Sequence, residues 1–188
     1  MGRLLAIAAA VLLLAGCAQP TAGAAPSIAA TAAPAAPAVR VMTSGCSSQG
    51  GLPDSTCTPG ATDPRVTQAN IGSTICTRGY TATVRPPVNV TERIKIERMA
   101  AYGLAGQPLS AEELDHLIPL ELGGAPADLA NLWPEPWTGN ANAHMKDAVE
   151  TFLNREVCRG TIQLADAQRM IASDWLSVYR TRGLQPAP

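Results

Sequence analysis

The chain is poor in aromatic residues and has no marked excess of charge of either sign. Phe, Trp and Tyr make up 4% of its 188 residues, whereas it has 16 glycines and 16 prolines. A chain with so few large apolar side chains and so many turn-forming residues packs only part of its length into a core. Its formal net charge of −1 argues against binding of nucleic acid through a general excess of Lys and Arg, although a local cluster could still serve.

The apolar run near the N-terminus is too short to cross a bilayer. Residues 4–14 follow the basic Arg3 and have the length of a signal-peptide core. The run ends in Leu14-Ala15-Gly16-Cys17, which resembles the lipobox of bacterial lipoproteins. The resemblance implies a signal peptide at 1–17, acylation of Cys17, and an exported protein held on the extracytoplasmic side of a membrane by its lipid. A plain secretory signal cleaved near residues 22–24 is the alternative.

The chain has five cysteines but no C-x-x-C pair, which argues against a zinc site built from cysteines alone. If Cys17 carries lipid, four remain, and an even number in an exported chain indicates two disulfides with three possible pairings. We expect a local loop, Cys46–Cys57, and a long connection, Cys76–Cys158. The long one would stabilise the fold by roughly 4 kcal/mol in the chain-entropy account.

Composition divides the remaining chain into a tether and one domain. Residues 18–57 combine an Ala/Pro-rich, disordered tether with a small cysteine loop. Residues 58–182 form the predicted domain, and 183–188 a tail. Within the domain, spacing of apolar residues and capping signals predict helices at 63–75, 91–102, 140–158 and 164–182. A β-favouring run lies at 80–84, and two further strands are expected at 114–122 and 131–134.

Residues 113–147 contain the chemically informative residues, including both histidines of the chain. Asp115-His116 precedes Gly123-Gly124, then Asn131-Leu132, then His144 on the predicted helix. In this order and spacing the residues resemble the core of HNH nucleases, a strand–strand–helix metal finger. The resemblance implies an α+β, mostly helical fold, in which a small ββα-metal finger packs with about three further helices and is tied by disulfides.

The likeness extends over residues 58–182, the whole predicted domain. Short motifs across this range resemble a group of exported bacterial proteins that carry an HNH signature, namely Thr58-Pro59-Gly60-Ala61, Val66-Thr67-Gln68, Ser73-Thr74-Ile75-Cys76, Val84-Arg85-Pro86 and Ala165-x-Ala167-Gln168.

Carried over residue by residue, the HNH pattern implies roles for four side chains. Asp115 and His144 would bind a divalent metal, His116 would act as general base on water, and Asn131 would brace the hairpin. Two protein ligands suit Mg²⁺ or Mn²⁺, and the imidazole also tolerates Zn²⁺ or Ni²⁺. Lys146 and Arg85 are candidate phosphate contacts.

The sequence departs from better-known HNH enzymes in two ways. It has no C-x-x-C pairs for a structural zinc, a function that the Cys76–Cys158 connection could replace. Some HNH enzymes have a second metal ligand on the helix, four residues after the first. This chain has Ala148 at that position, which leaves Asp147 or water to complete the metal shell.

Three functions are compatible with these patterns. The first is an exported, membrane-tethered, monomeric endonuclease that hydrolyses DNA or RNA with little sequence specificity. The second is a non-catalytic scaffold lipoprotein that binds cell-envelope components or a protein partner. The third is a zinc hydrolase of another kind, with Asp115, His116 and His144 all in the metal shell.

Overall fold

The computed structural model describes residues 41–187, together with Gly2. The predicted signal peptide at 1–17 (apart from Gly2), the predicted lipidation site Cys17 and most of the predicted tether lie outside the described residues. No helix in residues 41–187 is both long and apolar enough to cross a membrane.

The described chain is mostly helical with one two-stranded sheet, so the α+β prediction is confirmed. Four short 3₁₀ turns accompany the regular elements, at Gln68–Ser73, Leu109–Ala111, Leu120–Leu122 and Leu129–Asn131. The regular elements, in chain order, are α1 (Tyr80–Val84), α2 (Val88–Ala101), β1 (Glu112–His116), β2 (Leu132–Pro136), α3 (Ala143–Cys158) and α4 (Leu164–Thr181).

The main core lies between α3 and α4. On α3 the buried side chains recur at helical spacing, with Val149, Leu153 and Val157 inaccessible to solvent. The predicted α4 stripe is buried throughout, and consists of Leu164, Ala167, Ile171, Trp175 and Val178. Both helix predictions are confirmed to within three residues at each end. This pairing gives the hairpin a rigid support, because α3 contacts both α4 and the β1–β2 connection.

β1 and β2 form an antiparallel hairpin that places four polar or aromatic side chains on one face. Asp115 pairs with Trp133 and Glu113 with Glu135 across the strands. Residues two apart on a strand point to the same face, so these four share a face and His116 points to the other. Since β1 ends at His116, the predicted strand at 114–122 extends too far.

Both predicted disulfides are present. The Cys46–Cys57 Cα atoms are 6.0 Å apart and those of Cys76–Cys158 5.6 Å apart. The first loop is packed rather than loosely attached, because Cys46 N donates to Ala101 O at 3.0 Å and Cys57 is fully buried. The folded unit therefore begins before residue 58, contrary to the predicted domain boundary.

The described part of the predicted tail, residues 183–187, also packs on the folded unit. Leu184 packs against the α3–α4 core, and Ala187 N donates to His144 O at 2.8 Å. Residues in this segment therefore touch the first turn of α3.

Three element predictions need correction. The β-favouring run Tyr80–Val84 is a short helix, because it has no strand to pair with in this fold and Thr83 Oγ1 bonds back to Tyr80 O. Helix α2 starts at Val88, directly after Pro87, and Thr91 donates to Val88 O instead of capping. The helix expected at 63–75 shrinks to the 3₁₀ turn Gln68–Ser73.

Candidate functional site

The hairpin and α3 meet at the Asp115 carboxylate. Its Oδ2 accepts a hydrogen bond from Trp133 Nε1 at 3.1 Å and lies 2.8 Å from Lys146 Nζ. Lys146 Nζ also donates to His116 O at 2.8 Å and pairs with Glu150 one helical turn further on. Asp115 is therefore held by one residue from the neighbouring strand and one from the helix.

The structure corrects the expectation that Lys146 contacts a phosphate. Its side chain is completely buried and its ammonium is surrounded by Asp115, Glu150 and a main-chain carbonyl. It cannot reach a phosphate in this arrangement, because a buried charge remains with its buried partners. Lys146 thus anchors α3 to the hairpin.

His116 lies on the opposite face of β1 and borders a groove. Its Nε2 is 3.0 Å from Pro126 O, and a carbonyl oxygen can only accept. Nε2 therefore carries the hydrogen, and Nδ1 keeps its lone pair. Burial lowers the pKa of the His116 imidazole below its ordinary value, so the ring is neutral at neutral pH and can accept a proton.

Asn131 holds the loop that carries Pro126. Its side-chain oxygen accepts from Ile118 N at 2.9 Å, and its nitrogen donates to Ile118 O at 2.9 Å and Ala125 O at 3.1 Å. A Cβ at Gly124 would lie 1.7 Å from Ile118 O, so only glycine fits here. Asn131 and Gly124 together fix the carbonyl that orients His116.

His144 lies in the first turn of α3, two residues after the cap. Asn142 Oδ1 accepts from Met145 N at 3.1 Å and begins the helix. The His144 ring is partly exposed and packs on Trp137, with the ring centroids 5.7 Å apart. Trp137 also lines the groove, so His144 stands beside the groove that His116 enters.

Asp147 is electrostatically linked to both predicted metal ligands. Burial raises the pKa of its carboxyl, the Asp115 carboxylate raises it further, and Lys146 and His144 lower it. Even so, no three His, Cys, Asp or Glu side chains within residues 41–187 converge closely enough to hold a metal ion. The zinc hydrolase with Asp115, His116 and His144 in one shell is not supported, since the first two point to opposite faces of β1.

Sequence reasoning missed the carboxylates around Lys146. Glu135 is 1% exposed, and neither of its carboxylate oxygens has a hydrogen-bond partner. Burial, followed by the nearby Asp115 carboxylate, raises its pKa well above the ordinary value. Burial also raises the pKa of Glu150 to about 8, despite the opposing effect of Lys146. The i,i+4 spacing of Lys146 and Glu150 was the available signal.

The groove beside His116 has a volume of about 510 Å³. One wall is the exposed face of α2, and the other is formed by the start of β1 and by Trp137. Arg85, the remaining predicted phosphate contact, is exposed on its rim. The structure thus brings His116 and Arg85 to one groove and places His144 behind its Trp137 wall.

Comparison of the chain with known protein families, with curated proteins and with solved structures finds no match.

Proposed function

We propose that the chain is an exported, lipid-tethered endonuclease of the HNH type, which hydrolyses phosphodiester bonds of DNA or RNA with little sequence specificity. The observation that carries the proposal is the setting of His116. Its Nε2 is fixed by Pro126 O, its pKa is lowered by burial, and it borders a groove with an arginine on the rim. Together these features suit a general base next to a bound phosphate.

The two predicted metal ligands, Asp115 and His144, are of chemical types that bind divalent cations. Asp115 supplies a carboxylate of which only Oδ2 is used by Trp133 and Lys146, and His144 supplies a partly exposed imidazole. A carboxylate with an imidazole suits Mg²⁺ or Mn²⁺ with several waters, and also Zn²⁺ or Ni²⁺. When bound, such an ion would neutralise charge on the scissile phosphate.

The residues of the chain would act as follows. His116 Nδ1 takes a proton from the attacking water, while the Nε2 bond to Pro126 O keeps the ring in place. Asn131 does not touch the substrate; it positions His116 through the loop. Arg85 would hold the phosphate through its guanidinium, which can form paired hydrogen bonds to phosphate oxygens.

One observation favours the alternative, a non-catalytic scaffold lipoprotein. Lys146 already neutralises Asp115 at 2.8 Å, and this ion pair competes with any metal for the carboxylate. In a scaffold, the same pair would serve only to join α3 to the hairpin.

Nicking of plasmid DNA decides between the two. We expect the purified full chain, kept in detergent, to nick plasmid with Mg²⁺ or Mn²⁺ and to stop on addition of EDTA. His116→Ala should reduce the rate about 10²–10⁴-fold, the usual contribution of a general base, while circular dichroism shows that the variant is still folded at the assay temperature. His144→Ala should regain activity at higher metal concentration. Nicking that survives His116→Ala would remove the assigned base, and no cleavage with any of the four metals would favour the scaffold.

A separate experiment tests the predicted lipoprotein signal and the lipid anchor. If residues 1–17 are a lipoprotein signal, radiolabelled palmitate should be incorporated into the chain, and Cys17→Ala should abolish labelling and release the protein from the membrane fraction. A Cys17→Ala chain that stays in that fraction would contradict the lipid anchor.

A further inference from the structure

The groove beside His116 has one wall made by a single face of α2. Val88, Thr91, Glu92 and Lys95 line it, at helical positions i, i+3, i+4 and i+7, which share a face. The first and last are about 10 Å apart along the helix axis, at 1.5 Å per residue. The wall is therefore long enough for an extended ligand rather than a compact one.

The side chains of the groove combine cations with exposed apolar surface. Arg85 is exposed and Lys95 is half-buried, and both line the groove with the acidic Glu92 and Glu113. Val88 is 78% exposed and Trp137 37% exposed.

His116 is recessed at the bottom of this concave surface, with only 7% of its area exposed. A regular duplex keeps its bases paired and stacked between two backbones, so that no base can stack on an aromatic side chain of the groove unless it is first flipped out. An unpaired strand has no such cost. Grooves for single strands combine cations that follow the backbone with aromatic rings on which bases stack, and that combination is present here.

We propose that this groove binds a single-stranded segment of nucleic acid, with a base stacked on Trp137 and the neighbouring phosphates near Arg85 and Lys95. Placement of the scissile phosphate next to His116 depends on the nuclease function proposed above; the binding itself does not. The groove thereby selects unpaired over paired strands.

Binding is measured without catalysis, by fluorescence anisotropy of labelled oligonucleotides in EDTA at low salt. The probes are a twelve-residue oligothymidine, a twelve-residue oligouridine and a hairpin duplex of twelve base pairs. We expect both single strands to bind more tightly than the duplex. The ratio of the two single-strand affinities distinguishes DNA from RNA as the ligand.

Trp137→Ala should weaken single-strand binding about 5- to 100-fold, the effect of losing one stacked base. Trp137→Phe should retain most of the affinity, because it keeps a ring. Ile96→Ala is the control: Ile96 is an apolar residue of α2 that is 53% exposed and lines a different cavity. It should leave binding unchanged.

The charged residues of α2 give opposite expectations. Lys95→Gln should weaken binding and lower the dependence of log affinity on log salt by about 0.7, the value for one phosphate of a single strand. Glu92→Gln should tighten binding. Equal affinity for duplex and single strand, indifference to Trp137→Ala, or no binding at millimolar protein would each overturn the proposal.

Failure of this inference can be told from failure of the nuclease function. Trp137-dependent binding of single strands without cleavage under any metal would leave the groove assignment standing and remove the nuclease. Cleavage that requires His116 but is equally fast on duplex and unaffected by Trp137→Ala would retain the nuclease and remove the groove assignment.

Discussion

Replacement of Lys146 by methionine tests whether the junction of hairpin and helix is held by a buried charge. Methionine keeps the length and most of the volume of the side chain but leaves the Asp115 and Glu150 carboxylates without their shared cation. Removal of one partner from a buried ion pair costs about 3–5 kcal/mol. For a domain of this size, each kcal/mol lowers the melting temperature by about 2–4 °C, so we expect a decrease of roughly 6–20 °C.

The measurement is thermal unfolding followed by circular dichroism at pH 7.5, with the disulfides intact. Lys95→Met is the control, since Lys95 is only partly buried and surface changes stay within about 0.5 kcal/mol. Adding Asp115→Asn to Lys146→Met should recover part of the loss, because the Asp115 carboxylate that has lost its cation is then removed. A Lys146→Met protein that melts within 2 °C of the wild type (~0.5 kcal/mol) would refute the buried-pair account.

Two further predictions concern the Asn131 side chain, which holds the loop that carries Pro126, and the pH dependence of stability. Asn131→Ala leaves four main-chain groups without a hydrogen-bond partner and should cost at least about 4 kcal/mol in urea unfolding, at about 1–3 kcal/mol for each unsatisfied group. The exposed Asn140→Ala should change little; equal effects of the two changes would contradict the role of Asn131 in holding the loop. Glu150 has its folded pKa raised to about 8 from an ordinary 4.5, so the folded state binds the extra proton between these values. Its contribution to stability is therefore present below pH 4.5 and lost as pH rises through 8. The melting temperature should fall between pH 5 and 9, and Glu150→Gln should flatten that fall; an unchanged slope would contradict the assigned pKa.

The sequence predicted those parts of the fold in which one physical signal dominates. The apolar spacing of α4 had no competing interpretation, because Leu164, Ala167 and Ile171 follow one another at steps of three and four residues, which a helix places on one face and a strand does not. Four of the five cysteines were expected to form two disulfides, and both expected pairs form. Asp115, His116 and Asn131 were placed at the hairpin by their motif, and the structure places them there.

The predictions that were wrong concern residues whose conformation or burial depends on tertiary contacts. Tyr80–Val84 has β-favouring residues but no partner strand, so local hydrogen bonds make it a helix. Lys146 looked like a surface charge because no local pattern shows that Asp115 lies opposite it across the fold. Glu135 follows a proline in β2 and gave no sign of being buried.

Position 124 shows how a residue that takes no part in the proposed reaction could be mistaken for a catalytic one in a mutational screen. Any side chain there would collide with the Ile118 carbonyl and crowd the Asn131 amide, which would shift the neighbouring Pro126 oxygen that orients His116. Inactive variants at Gly124 would thus report a displaced peptide backbone. A library scored by activity alone would count them with true active-site losses, and only a parallel measurement of folding separates the two.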